Sequence, residues 1–311
     1  MSLGKEYIAK EIQSEAFRLG FDQVGFSQAK ELIDDRERLS KWLENGYNAG
    51  MGYMANHFDK RVNPALLVEG SHSVISVVYN YNPPQPTLSQ SAPKISRYAY
   101  GRDYHDIIKS KLSSLFNFVR DNLYSQLEGR FFIDSAPLLE RSLAVRAGLG
   151  WIGKNSMLIN RKLGSYLFIG ELVVNIELPY NQSPMIDRCG GCSKCIDACP
   201  TQAILPDRVI DGNKCISYLT IENKGDIPES YKGKLEGWVF GCDICQEVCP
   251  WNRKAVAANE PEFRPSKALL SMTNKEWESL SAEEFSALFK GSPIKRAKYA
   301  GWMRNYQFIT K

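Results

Sequence analysis

Apolar positions recur at helical spacing over residues 5–19, where Ile8, Ile12, Ala16 and Leu19 share one face and Gly20 ends the run. A short strand follows over 21–27, then a second helix over 29–44 closed by Asn45-Gly46. Residues 50–61 read as a loop carrying a short helix. The segment 73–81, SVISVVYNY, is dense in β-branched and aromatic residues and predicts a buried strand. Four prolines between residues 82 and 94 exclude helix and central strand there and predict a surface loop. A long helix is expected over 103–127 and a short strand over 130–134. The next helix spans 135–147, with Pro137 in its first turn and Gly148 at its end. Strands are expected over 156–159 and 165–176, and helix returns over 273–306 after a Gly- and Pro-punctuated stretch. Helices and strands alternating through the first 180 residues predict a mixed α+β or α/β domain.

The chain has 311 residues, of which 43% are hydrophobic and 24% charged, which fits a globular protein of about two domains and excludes a disordered one. No apolar run reaches the ~18 residues of a membrane span, and the N-terminus has no apolar signal core, so a cytoplasmic protein is expected. The formal net charge is +4. Residues 290–311 hold Lys290, Lys295, Arg296, Lys298, Arg304 and Lys311 with no acidic residue, and Tyr299, Trp302 and Tyr306 lie among them. That pattern fits a solvated helix or a surface that faces phosphates.

All eight cysteines fall between Cys189 and Cys249. In a reducing compartment, clustered thiols are metal ligands rather than disulfide halves. Cys189, Cys192, Cys195 and Cys199-Pro200 reproduce the C-x2-C-x2-C-x3-C-P run of bacterial [4Fe–4S] ferredoxins. Three closely spaced thiolates wrap one cluster, and the fourth is expected to begin a short helix that points elsewhere. Cys242, Cys245 and Cys249-Pro250 repeat the logic with one member missing, which Cys215 supplies. The expected ligand sets are therefore crossed: Cys189, Cys192, Cys195 and Cys249 on one cluster, and Cys199, Cys215, Cys242 and Cys245 on the other. Zinc usually takes two separated CxxC pairs, so this run reads as iron–sulfur.

Gly148-Leu-Gly150-Trp-Ile-Gly153 matches a dinucleotide fingerprint, with Glu171 at a suitable distance. It follows a helix rather than a strand and opens no helix, so these glycines are expected to serve close backbone approach instead. Asp134 ends an apolar strand just before a helix. It reads either as an N-cap or as an acid whose pKa burial would raise, ready to deliver a proton. His57, His72 and His105 have no ligand spacing and read as structural.

The stretch from Asp134 through Glu140, Arg141 and Gly148 to Lys154-Asn155-Ser156, followed by the eight cysteines, closely resembles the epoxyqueuosine reductases. Tyr100-Gly-Arg-Asp-Tyr-His105, Cys215-Ile-Ser-Tyr-Leu-Thr220 and Gly241-Cys-Asp-Ile-Cys245 extend the resemblance over nearly the whole chain. It implies an α+β fold. A nitroreductase-like cobalamin-binding domain (1–180), related to that of reductive dehalogenases, precedes a ferredoxin-like two-cluster domain (181–255) and a C-terminal helical, basic segment (256–311). The implied reaction reduces epoxyqueuosine to queuosine in the anticodon loop of tRNA. It uses cobalamin fed by two [4Fe–4S] clusters, with an external donor such as flavodoxin or ferredoxin, and the chain acting as a monomer.

By matching motif, Asp134 is the implied proton donor. The implied cobalamin contacts are Arg61, Arg97, Asp134, Lys154, Asn155, Ser156, Leu158, Ile169, Ser217, Cys242 and Asp243. Some members carry a cysteine in the strand before the Gly-Arg-Asp-Tyr-His stretch. Here Lys94-Ile-Ser-Arg97 stands there, so no catalytic thiol is expected. Competing readings are a dehalogenase-like cobalamin reductase of small molecules and a plain electron-transfer module.

Overall fold

The computed structural model describes residues 3–82, 92–181 and 185–310. Most of the loop expected over 82–94 lies outside the described residues. The main sheet has four strands: β1 (Gln23–Gln28), β2 (Ser73–Asn80), β3 (Gly129–Phe132) and β4 (Leu167–Val174). They run in the order β1-β2-β4-β3, every neighbour antiparallel, which settles the fold as α+β. Helices α1 (Lys5–Arg18), α3 (Tyr104–Asn122) and α4 (Glu140–Arg146) pack on it, α2 (Ile33–Glu44) meets the short helix Phe58–Val62, and α5 (Lys298–Thr310) packs on the strand Trp238–Phe240.

Every residue of β2 is buried, because the sheet is covered on both faces and neither side of the pleat meets water. Ile75, Val77 and Tyr79 pack with Ile8 and Ile12 of α1 and with Ile108, Leu112 and Leu115 of α3. On the other face Val74 meets Leu143, and Val78 meets Ala144, both of α4. Residues 108, 112, 115 and 119 are all fully buried, so α3 presents a continuous apolar stripe to the sheet.

Two expected elements shift. The helix foreseen over 135–147 starts only at Glu140. Asp134 adopts a left-handed φ of 54°, and the following residues make tight turns before Leu138 enters the core. Asp134 is therefore no N-cap; Leu139 holds that position without a side-chain bond. The strand foreseen over 156–159 is two residues, Leu158–Ile159, paired antiparallel with Trp151–Ile152. A Cβ on Gly150 would come within 2.3 Å of the Ile159 carbonyl oxygen, so this glycine serves the hairpin and not a phosphate.

The C-terminal residues do not form a free tail. Trp277, Phe285, Trp302 and Tyr306 share a core with Ile95, Ala99, Val239 and Phe240. Trp302 and Tyr306, read as possible nucleic-acid aromatics, are thus packing residues. Arg304 is also spoken for, since its guanidinium donates to the carbonyls of Leu219, Asn223 and Gly225. Among the described residues no helix is long and apolar enough to cross a membrane.

The contact between β1 and α4 leaves no room for a side chain at Gly25, where a Cβ would stand 2.2 Å from the Ala147 carbonyl oxygen. Gly25→Ala should lower unfolding stability by about 1–3 kcal/mol. Gly52→Ala, whose Cβ meets nothing within 4 Å, serves as the control. Chemical denaturation of the two variants checks this, and equal midpoints would refute it.

Candidate active site

Each half of the cysteine segment has the same local form. A one-turn helix carries the third or second-last cysteine (Lys194–Asp197 with Cys195, Ile244–Glu247 with Cys245), and a Cys-Pro pair follows it. Cys199 therefore follows the short helix rather than beginning it, which corrects the expectation. The two turns pack against each other, and this crosses the thiols. Cys195 is surrounded by Cys189, Cys249 and Cys192. Cys242 faces Cys215 and Cys199, and Cys245 faces Cys242 and Cys215, with Cys195 beyond. The thiols of each expected set thus lie within electrostatic range of one another. The first set lines a cavity of about 220 Å³ together with Lys154, Asn155, Ile159 and Trp251.

The turn after the glycines grips the cysteine loops. Lys154 Nζ donates to the carbonyls of Gly190 (2.8 Å) and Cys192 (2.9 Å). Asn155 Nδ2 donates to the Cys245 carbonyl at 3.3 Å. Ser156, with φ of 59°, donates through its hydroxyl to the Arg208 carbonyl. Its own carbonyl accepts from Arg141.

Asp134 stands on the turn between β3 and α4, its side chain 55% exposed. The Tyr104 hydroxyl donates to Oδ2 at 2.8 Å, and His105 Nε2 lies 3.5 Å from the same oxygen. His105 Nδ1 is 2.7 Å from Oδ1 of Asp103, the N-cap of α3. Burial alone would lower the His105 pKa, but hydrogen bonds with Asp103 and Asp134 outweigh it and lift the pKa to about 9. The His105 bond in turn holds Asp134 below the usual carboxylate range, against the opposing effect of burial. This reverses the expectation that burial would raise it: a cationic neighbour outweighs desolvation. At neutral pH the pair is carboxylate and imidazolium. His105 and Tyr104 were missed as site residues; the signal lay in Asp103, whose capping role sets both on the first turn of α3.

Two further carboxyls stand behind the turn. The Asp134 N–H donates to Glu140 Oε1 at 2.5 Å. Burial, reinforced by the Asp134 charge, pushes Glu140 up to about 8. Glu171 on β4 is fully buried, accepts from Ser76 Oγ at 2.6 Å, and is pushed well above the carboxylate range by burial. Its Oε1 has no partner.

The remaining residues expected at the site come from β4, the hairpin, short helical turns and the cysteine segment. Ile169 is the one residue of β4 that is not buried, although it lies mid-strand and packs beside Leu158. Arg141 is exposed, yet the protein around it pulls its pKa below the ordinary guanidinium value, as befits a concave wall. Arg61 is buried, donates to the Tyr53 carbonyl at 3.0 Å, and leaves Nε without a partner. Asp243 is buried beside Cys242 and accepts from the Ser96 hydroxyl and, at 2.8 Å, from the Arg97 N–H. Burial pushes Asp243 up to about 6. The Arg97 guanidinium donates to Asn82 and lies over the Tyr166 ring at 4.7 Å. Ser217 is half-buried next to Cys215, whose sulfur its backbone N–H approaches. Tyr98 is a tyrosine whose pKa burial raises, and the charges of both Asp134 and Asp243 act on it in the same direction. Arg296, ion-paired with Glu222 at 2.6 Å, also reaches Asp134.

A family model described as a 4Fe-4S double cluster binding domain matches residues 188–252. Another, Epoxyqueuosine reductase QueG, DUF1730, matches residues 61–135. The epoxyqueuosine reductase of Cellulophaga algicola is 50% identical over 305 residues, covering 98% of this chain and 99% of that protein. The chain belongs to the epoxyqueuosine reductase family. It is accordingly an oxidoreductase with an iron–sulfur domain. An epoxyqueuosine reductase solved with an epoxyqueuosine-modified tRNA-Tyr stem loop is 29% identical, with a TM-score of 0.86. The match covers 96% of this chain and 80% of that one. The enzyme from Bacillus subtilis, also 29% identical with the same coverages, gives a TM-score of 0.85. It was solved with its aspartate-bearing catalytic loop swung out of the active site.

The His105 charge has a thermodynamic signature. Its folded pKa of about 9 exceeds the ordinary value of about 6.5. The stabilisation it brings is therefore complete below pH ~6.5 and is lost as pH rises through about 9. His105→Asn should flatten the fall of Tm across that window; an unchanged slope would remove the imidazolium from the site.

Proposed function

We propose that this chain reduces epoxyqueuosine to queuosine at the wobble position of tRNA, with cobalamin and two [4Fe–4S] clusters as cofactors and Asp134 as proton donor. The observation that carries this reading is the position of Asp134. It is half-exposed on a left-handed turn and paired with a protonated His105; in this reading it edges the recess that takes the cofactor and the base. The residues present fit both cofactors. Eight cysteines in two expected sets of four suit two clusters, and the incompletely buried Ile169 of β4 and the unpartnered Arg61 Nε suit contact with a bound ring. In this reading residues 1–180 form a nitroreductase-like cobalamin carrier, 181–255 hold the clusters, and 256–311 close the site with a basic edge.

Bound cobalamin supplies low-potential electrons at cobalt, and the clusters relay them singly. The overall change consumes two electrons and two protons and converts the epoxide to an alkene and water. The chain's own part is binding and proton handling. Arg61, Arg97, Leu158, Ile169, Ser217, Cys242 and Asp243 surround the ring in this reading, while Lys154, Asn155 and Ser156 hold the cysteine loops against it. Asp134 is a carboxylate at rest. When the substrate base fills the recess and expels water, the charged form loses solvation and its proton affinity rises. The proton carried by His105 can then pass through Asp134 to the oxygen leaving the epoxide carbon. The Bacillus subtilis enzyme, with its catalytic loop swung out, supports a turn that moves between loading and delivery.

The relative bound to a modified tRNA stem loop supports an anticodon-loop substrate. The target base must leave the stack to enter the recess. Lys290, Lys295, Arg296 and Lys298 remain exposed to meet phosphates, and Arg296 ties that edge to Asp134.

Conversion of epoxyqueuosine in a tRNA stem loop, with and without added cobalamin, tests the reading; equal turnover without cobalamin would overturn the cofactor assignment. Asp134→Asn should retain both cofactors by absorbance and lose about 10²–10⁴-fold in single-turnover rate. Full activity in that variant would end the proton-donor role.

A further inference from the structure

Cys189, Cys192, Cys195 and Cys249, whose loop opens to the surface at Gly190 and Gly191, form the outer set, and the set that holds Cys242 beside buried Asp243 is the inner one. The outer loop is bare: Gly190 and Gly191 are exposed, and a Cβ on either would meet nothing within 4 Å.

Basic side chains ring this outer end. Arg188 and Lys194 border the cavity of the outer set. Beside it, the Asn160–Gly164 turn packs on the segment after Cys249, with the Ser165 N–H donating to Asn252 Oδ1 at 2.7 Å. This brings exposed Arg161 and Lys162 next to exposed Arg253 and Lys254. Carboxylates of the same loops are already engaged, Asp187 with Arg208 and Asp197 with the Ser193 hydroxyl. Exposed apolar residues lie among the charges, with Ile186 at 76% and Val256 at 58%. The Cys segment as a whole is acidic, so the positive face is local.

Building on the two-cluster reading, we propose that this face is where a small acidic electron-transfer protein docks and passes electrons to the outer cluster. Redox encounters use small interfaces with apolar centres and rely on complementary charge for speed rather than tight affinity. An RNA backbone would use the charges but has no need of Ile186 and Val256.

The test uses reconstituted holoenzyme and stopped-flow bleaching of cluster absorbance by reduced flavodoxin. The variants are Lys162→Glu/Lys254→Glu and Arg161→Glu/Arg253→Glu, with Lys290→Glu/Lys295→Glu as the control. Each of the first two should lower the second-order rate constant at least tenfold at low salt, and the control should not. Photoreduction by deazaflavin, which needs no docking, and stem-loop affinity should stay unchanged in the first two. An unchanged flavodoxin rate overturns the proposal, as does a parallel loss of stem-loop binding, which would give the face to RNA. Wild-type protein without a photoreducible [4Fe–4S] signal would instead refute the cluster reading beneath it.

Discussion

The architecture depends on the way the cysteine loops are held to the sheet domain. Lys154 and Asn155 reach out of the hairpin after the glycines and bond to carbonyls of Gly190, Cys192 and Cys245. Those carbonyls belong to both halves of the cysteine segment, so one turn fixes both halves at once. Cys249 sits buried with Trp151 and Ile159 of the same hairpin. The one-turn helices that carry Cys195 and Cys245 also pack against each other, which adds a second constraint between the two halves.

The acid end of the molecule follows from a different balance. Asp134 would be a raised, neutral acid if burial decided its state. His105, itself held by Asp103, decides instead, and the proton rests on the imidazole. Glu140 grips the same turn through the Asp134 N–H. That bond fixes the backbone while leaving the carboxyl free to respond to what enters the recess. Glu171, fully buried and bonded to Ser76, sits behind Glu140 in its neutral form and spares the sheet interior a charge.

Most of the core was legible because its physics is local. The density of β-branched and aromatic residues over 73–81 marks a strand covered on both sides, and the structure buries all of β2. The cysteine run was legible as an iron–sulfur segment for the same reason, since its spacing is local, and the double-cluster family model matches residues 188–252. The environment of Asp134 was not, because it depends on residues thirty positions upstream that meet it only after the sheet forms. A lone histidine has no spacing that announces a partner, and the helix foreseen from 135 hid the left-handed turn. Pro137 and the apolar Leu138 satisfied the helical pattern, yet the observed turn uses Leu138 as an anchor into the core instead.

The C-terminal segment shows why a charge run is a poor guide until its geometry is known. Of its cations, Arg304 is consumed by three loop carbonyls and holds the segment around residues 219–225 in place. Asn305 beside it is fully buried and donates to Thr220 and Val239. Together they dock α5 against the strand residues Trp238–Phe240 just before Cys242, so the helix acts on the inner cysteine set through packing rather than charge. Arg296 has the opposite role, paired with Glu222 yet within reach of Asp134. One short segment thus packs against the cysteine segment on one side and sets a cation within electrostatic range of Asp134 on the other.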